Sequence, residues 1–236
     1  QFSARLTAPL CVVGGIALQA LKAQGITIHA HLLSVGEVTD RPCDPLAFSA
    51  EEKALFAGAA FPALDEEAGR RMQERIEQAR LALDSVGGTV ECRVDGLPVG
   101  VGNAGYGGLD GSIAAVVFGI PAVKGISFGA GFDAAKMAGS ENNDPFYFDD
   151  AGVVRTRTNH CGGILGGMSD GMPVLFTVAF KPTPSIALRQ QTVDLQKKVN
   201  TTLCIQGRHD PCVAVRAVPV VEAAAAVAVY DRLLEK

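Results

Sequence analysis

Tryptophan is absent, and aromatic residues make up only 6% of the 236 positions, so any core must be built from aliphatic side chains and alanine. No C-x-x-C pair occurs. The six cysteines (Cys11, Cys43, Cys92, Cys161, Cys204, Cys212) are scattered without histidines at ligand spacing, which argues against zinc or any other metal. Most sit among apolar neighbours and read as small buried hydrophobes of a reducing compartment. No uninterrupted apolar run reaches the roughly 18 residues of a spanning helix, and no signal peptide is legible, so no membrane role is expected. Positive charge is not in excess. A net charge of -4 disfavours broad nucleic-acid binding, and a polyanionic small molecule would need basic residues gathered locally. No G-x-G-x-x-G links a strand to a helix, strands do not alternate regularly with helices, and no short repeat recurs, which together disfavour a doubly wound dinucleotide fold.

What is present suffices for a sizeable core: 48% of the residues are hydrophobic, in a chain long enough for one large or two small domains. Residues 9–21 are apolar except Gln19 and predict a helix buried on most sides. Residues 27–35 alternate, with Ile28, Ala30 and Leu32 on one face and His29 and His31 on a polar, solvated one. An irregular surface excursion is expected over 42–61, then an amphipathic helix over 64–83. Strands are expected at 89–94, 172–180 and 201–205, a short helix at 112–120, and a hairpin joining 146–148 to 153–157. The last helix should begin near Pro219, since proline suits a first turn and breaks an interior. Strands polar on one face and helices apolar nearly all round suit one arrangement, an α+β fold with helices enclosed between mainly antiparallel sheets, a β-α-β sandwich.

Three segments could carry chemistry. Ser3, Arg5 and Thr7 share a face if extended, and two hydroxyls with a guanidinium suit a phosphate or carboxylate; helix capping by Ser3 or Thr7 explains the same residues. Lys181, Thr183 and Ser185 repeat that period around Pro182 and Pro184, which favour extended backbone; an ordinary strand exit is the alternative. Arg208 and Asp210 also share a face, either as an ion pair closing a strand end or as cation and carboxylate of a reaction centre. Gly162, Gly163, Gly166 and Gly167 would let backbone approach a flat ring or a phosphate, or simply turn.

The strings F-S-A-R-L-T-A-P (2–9), G-L-P-V-G-V-G (96–102), A-V-K-G (122–125), G-S-E-N-N-D (139–144), N-H-C-G-G-I-L-G-G-M-S-D-G (159–171), K-P-T-P-S-I (181–186) and R-H-D-P-C-V-A-V-R-A-V-P (208–219) occur in this order. Each alone is weak, but the ordered set resembles the chorismate synthase family along nearly the whole chain. The resemblance implies a β-α-β sandwich, a single domain over 1–236, a homotetramer in the cytoplasm, and reduced FMN as cofactor. The implied reaction is anti 1,4-elimination of phosphate from 5-enolpyruvylshikimate 3-phosphate, giving chorismate. It makes Ser3, Arg5 and Arg208 substrate contacts, Lys181 and Ser185 ligands of the flavin phosphate, and Asp210 the proton-handling residue near the flavin. Ala122 and Asn159 become flavin-side contacts; the residue before Ala122, asparagine in many relatives, is Pro121 here. The family's N-terminal portion with its two catalytic histidines is expected to lie outside this chain, which opens at Gln1 within a motif. None of the four histidines inherits that role, and nothing resembles a nicotinamide site. A flavin- or anion-binding module without catalysis is the alternative.

Overall fold

The computed structural model describes residues 3–58, 61–207 and 209–235, so Arg208 lies outside the described residues. The chain runs through α1 (Ala8–Ala23), β1 (Thr27–Val35), β2 (Val38–Thr39), α2 (Ala50–Gly58), α3 (Glu66–Leu81) and β3 (Gly88–Asp95). There follow α4 (Leu109–Phe118), β4 (Val123–Phe128), α5 (Gly139–Asn142), β5 (Phe146–Phe148), β6 (Val154–Thr156), β7 (Ile164–Leu165) and β8 (Met168–Ser169). The chain then passes through β9 (Val174–Phe180), β10 (Gln190–Asp194), β11 (Val199–Leu203) and α6 (Ala214–Leu234). One five-stranded antiparallel sheet, in the order β2-β1-β3-β9-β4, organises the molecule, with β5-β6, β7-β8 and β10-β11 as separate two-stranded ribbons. This is the expected α+β class.

Alternation along β1 and β3 decides what each face of the sheet carries. Ile28, Ala30 and Leu32 with Val90, Cys92 and Val94 are buried in the main core, against α6. α6 is apolar on almost every side because it is enclosed: it packs on the sheet, on α1 and on α4, and its central run Ala223–Ala226 is fully buried. Alanine there lets neighbouring backbones come close. α1 is less covered than expected. Its inner edge, Gly14, Ala17 and Leu21, is buried on α6, while Val12, Val13 and Ile16 are exposed on the outside. By length and composition the helical stretch Ala4–Ala23 (mean hydropathy 1.5) could cross a membrane, despite its interruptions at Arg5, Gln19 and Lys22; here its partner is α6.

α6 starts at Ala214, five residues before Pro219, so the proline sits inside the helix and leaves the Val215 carbonyl without its helical donor. One turn further on, Glu222 reaches the outer edge of β1. Because β2 pairs only with Ser34 and Val35, the preceding N–H groups of that edge need other acceptors. Ala30 N donates to Glu222 Oε1 (2.8 Å) and Leu32 N to Pro62 O (2.7 Å). Burial pushes the Glu222 carboxyl above its ordinary 4.5, and the Ala30 bond only partly opposes this. A raised folded-state value makes this group's stabilising contribution complete below 4.5 and lost as pH rises past the folded value. Glu222→Gln keeps the acceptor and removes the charge. It should raise the thermal midpoint at about pH 8 and leave it unchanged at about pH 4, measured by circular dichroism. A lower midpoint at the higher pH would mean that the charge itself is needed.

The opposite face of the sheet lies under the 40–65 excursion, which contains α2 where only irregular chain was expected. His31, expected to be solvated, is 1% exposed here. Arg93 is fully buried on the same face: Nε and Nη2 grip Asp95 (2.7 and 2.8 Å), Nη1 bonds the Asp44 carbonyl, and the guanidinium covers Phe48 (4.9 Å). A buried cation is tolerated because every direction offers it an acceptor or a π face.

Candidate functional site

The N-terminal ends of α1 and α6 lie side by side because the two helices pack along each other, and a cavity of about 1060 Å³ opens between them. Ser3, Arg5 and Thr7 reach it from one side, Thr183 and Ser185 from a second, Asp210 and Arg216 from a third, and Ile120 and Pro121 form apolar wall. Members of all three expected segments therefore converge: Ser3, Arg5 and Thr7 of the first, Thr183 and Ser185 of the second, and Asp210 of the third. Asp210 is the one carboxylate among the described residues lining the cavity.

The local conformation around Arg5 differs from expectation. Residues Ala4–Thr7 form a 3-10 turn leading into α1, so Ser3, Arg5 and Thr7 do not share an extended face. Ser3 Oγ accepts from Arg5 N (3.2 Å) and caps the turn, and Thr7 Oγ1 donates to Ala4 O (2.6 Å). Capping accounts for Ser3 and a bond back to the turn's own carbonyl for Thr7, yet the turn still presents Arg5 to the cavity at a helix N-terminus, where backbone N–H groups favour anions. No carboxylate among the described residues pairs with the Arg5 guanidinium.

Asp210 is anchored at both oxygens: Oδ1 accepts from Cys212 N (3.3 Å), and Oδ2 pairs with Arg216 Nε (2.9 Å). Arg216 remains 78% exposed, so its other N–H groups are available to the cavity. This cation and His209 are polar lining residues to which the sequence reading gave no role, whereas Thr183, named there beside Lys181 and Ser185, does line the cavity. Arg216 was legible in principle, six positions after Asp210, but only to a reading that starts α6 at Ala214.

Lys181 does not line the cavity; its backbone N donates to the Ala122 carbonyl (3.0 Å), one residue beyond the Pro121 wall. Ala122 itself has φ +76°, a left-handed conformation uncommon outside glycine and one that accumulates at ligand sites. Asn159 is not brought to the cavity. It is 5% exposed, its amide N–H groups donate to Pro45 O (3.0 Å) and Pro173 O (2.9 Å), and Oδ1 accepts from Gly163 N (2.7 Å). Gly162 and Gly163 of the glycine loop likewise serve packing rather than ligand approach, whereas a Cβ on Gly166 would meet nothing within 4 Å. A Cβ on Gly162 would lie 2.4 Å from Gly129 N, and one on Gly163 2.4 Å from Pro173 O. His160 is also elsewhere, half-buried with Nδ1 3.2 Å from Asn142 O.

Fold and cavity together define a class: an α+β protein with an anion-receptive cleft at the paired N-termini of two packed helices. Comparison with known proteins makes the class specific. A model of the chorismate synthase family matches residues 1–234. A chorismate synthase of Lancefieldella parvula is 47% identical over 243 residues, covering 99% of this chain and 64% of the relative. One from Thermococcus gammatolerans is 44% identical over 236 residues, covering 100% of this chain and 64% of the relative. A solved structure described as Crystal Structure of Chorismate Synthase superposes with a TM-score of 0.81 at 26% identity, covering 99% of this chain and 64% of that one. The chain belongs to the chorismate synthase family, and it spans a little under two thirds of the length of these relatives.

Proposed function

We propose that this chain supplies the cleft of a chorismate synthase, a carbon–oxygen lyase that eliminates phosphate from 5-enolpyruvylshikimate 3-phosphate to form chorismate, with reduced FMN and no net redox change. The observation that carries this reading is the convergence of Arg5, Arg216, Thr183, Ser185 and one anchored carboxylate, Asp210, on a single large cavity of a protein in this family. The donor set fits a flavin phosphate and a phosphorylated substrate: cations and hydroxyls are present, and the volume is ample for both. Ser185 and Thr183 would hold the cofactor phosphate, and the strained Ala122 backbone, next to the Pro121 wall, would border the ring. When bound, reduced FMN supplies transient electron donation that eases loss of phosphate and is returned as the opposite hydrogen leaves.

The protein residues do the remainder. Arg5, with Arg208 and Ser3, neutralises and orients the substrate anions, so that phosphate departs into a cationic wall. Asp210 accepts or donates a proton at its carboxylate, oriented by Arg216 and Cys212 N. The apolar wall at Ile120 and Pro121 excludes water. We assign Asn159 no ligand role here. The single-domain organisation, cytoplasmic location and homotetrameric assembly belong to the same proposal and rest on family resemblance.

The test follows phosphate release from the full-length protein under anaerobic conditions, with and without reduced FMN. Release should require reduced FMN; equal release in both would defeat the reading. Flavin binding without any phosphate release would favour the non-catalytic binding module.

A further inference from the structure

On the sheet face remote from the cleft, His31 and Glu91 are cross-strand partners of β1 and β3, so both side chains leave the sheet on the same side. Cys43, in the loop after β2, lies directly over them, and its backbone N donates to Glu91 Oε2 (2.7 Å). One ligand-type atom from each of His31, Cys43 and Glu91 falls within 4.8 Å of the other two. All three residues are buried, at 1%, 4% and 8% exposure. An imidazole, a thiol and a carboxylate gathered away from water form a mixed N/S/O donor set, the type that takes zinc and its neighbours rather than magnesium or calcium.

The group behind the imidazole strengthens this reading. Asp40 Oδ2 is 3.3 Å from His31 Nδ1, and Leu32 O is 3.1 Å from the same nitrogen. Asp40 is itself fixed by backbone N–H groups of Arg41 (2.8 Å), Leu64 (2.5 Å) and Asp65 (3.0 Å). Two acceptors on Nδ1 direct its N–H backwards and leave Nε2 facing Glu91 Oε2 at 3.0 Å. A carboxylate that orients a histidine whose other nitrogen meets further ligand atoms is the usual support behind a metal-bound imidazole.

We propose that His31, Cys43 and Glu91 form a binding site for one zinc-class divalent ion, with Asp40 as the residue that positions the imidazole. The site is separate from the cleft and ties the 40–65 excursion to the sheet. Its residues come from positions 31, 43 and 91, a spacing that no linear zinc motif shares.

Chelator-stripped protein titrated with Co(II) should bind one equivalent, giving visible d–d bands and a near-ultraviolet thiolate-to-cobalt band that Zn(II) abolishes. The band should persist in a Cys11→Ser/Cys204→Ser double variant and vanish in Cys43→Ser. Asp40→Asn should retain it with affinity lowered roughly 10- to 100-fold. If Cys43→Ser does not fold, a triple variant that adds Cys161→Ser to the double variant decides, because it removes every thiol that is not buried; loss of the band there overturns the proposal. Wild-type protein without a thiolate band, a band lost in the double variant, or a band surviving in folded Cys43→Ser, overturns the proposal.

Discussion

Asp210→Ala should retain FMN affinity within about threefold while turnover falls by about two to four orders of magnitude, the usual contribution of a positioned proton-transfer group. Asp210 is the one carboxylate at the cleft among the described residues, and neither of its anchors is another acid. Its removal therefore leaves no second carboxylate among the described lining residues to take over as base. Asp210→Asn keeps the size and the Cys212 N acceptor but cannot carry the proton, so it should fall nearly as far. The two readouts separate catalysis from structure: flavin titration followed by fluorescence reports the cavity, and anaerobic phosphate release reports the chemistry. Turnover within a few-fold of wild type would remove Asp210 from the mechanism. Loss of flavin binding together with turnover would instead mark Asp210 as a brace for Arg216.

Where hydrophobic periodicity was strong and local, the sequence located structure closely. β1 spans Thr27–Val35 as its alternation predicts, and β3, α3 and β9 fall within two residues of expectation at each end. β4 was passed over because Lys124, Gly125 and Ser127 break any alternation; its pairing with β9, not its own pattern, makes it a strand. The start of α6 was misplaced for a physical reason. Proline is penalised in helix interiors, but α6 is held on several sides, and that burial outweighs one lost hydrogen bond at Pro219. That error hid Arg216, the ion-pair partner of Asp210.

The cleft was only partly legible for the same kind of reason. Arg5, Ser185 and Asp210 meet as expected, although the segment bearing Arg5 is a capped turn rather than a strand. Asn159, and Gly162 and Gly163 of its loop, could not be told apart from ligand contacts in one dimension. Only the backbone of Gly129, Pro173 and Leu175 against that loop reveals that they serve packing. His31 shows the converse error. A polar residue on the polar side of an alternating strand reads as solvated, until a distant excursion of the chain closes over it.

The helix pair that shapes the cleft can be tested at adjacent glycines. A Cβ on Gly14 would lie 2.4 Å from Ala223 Cβ, 2.5 Å from Ala223 Cα and 2.8 Å from Ala223 O, whereas one on Gly15 meets nothing within 4 Å. The same chemical change should therefore have opposite signs one residue apart. Gly15→Ala should stabilise by up to about 1 kcal/mol through helix propensity alone. Gly14→Ala gains the same propensity but must separate two helix backbones, and should lose a net ~1–3 kcal/mol. For a chain of this size that is a drop of several degrees in thermal midpoint, at roughly 2–4 °C per kcal/mol. Because Arg5 lies in the turn leading into α1, Asp210 just before α6 and Arg216 in its first turn, spreading the pair also widens the cleft, so Gly14→Ala should weaken FMN binding and turnover together while Gly15→Ala changes neither. Equal midpoints for the two variants would mean that α1 does not rest on α6 at Gly14, and the geometry assigned to the cleft would fall with that contact.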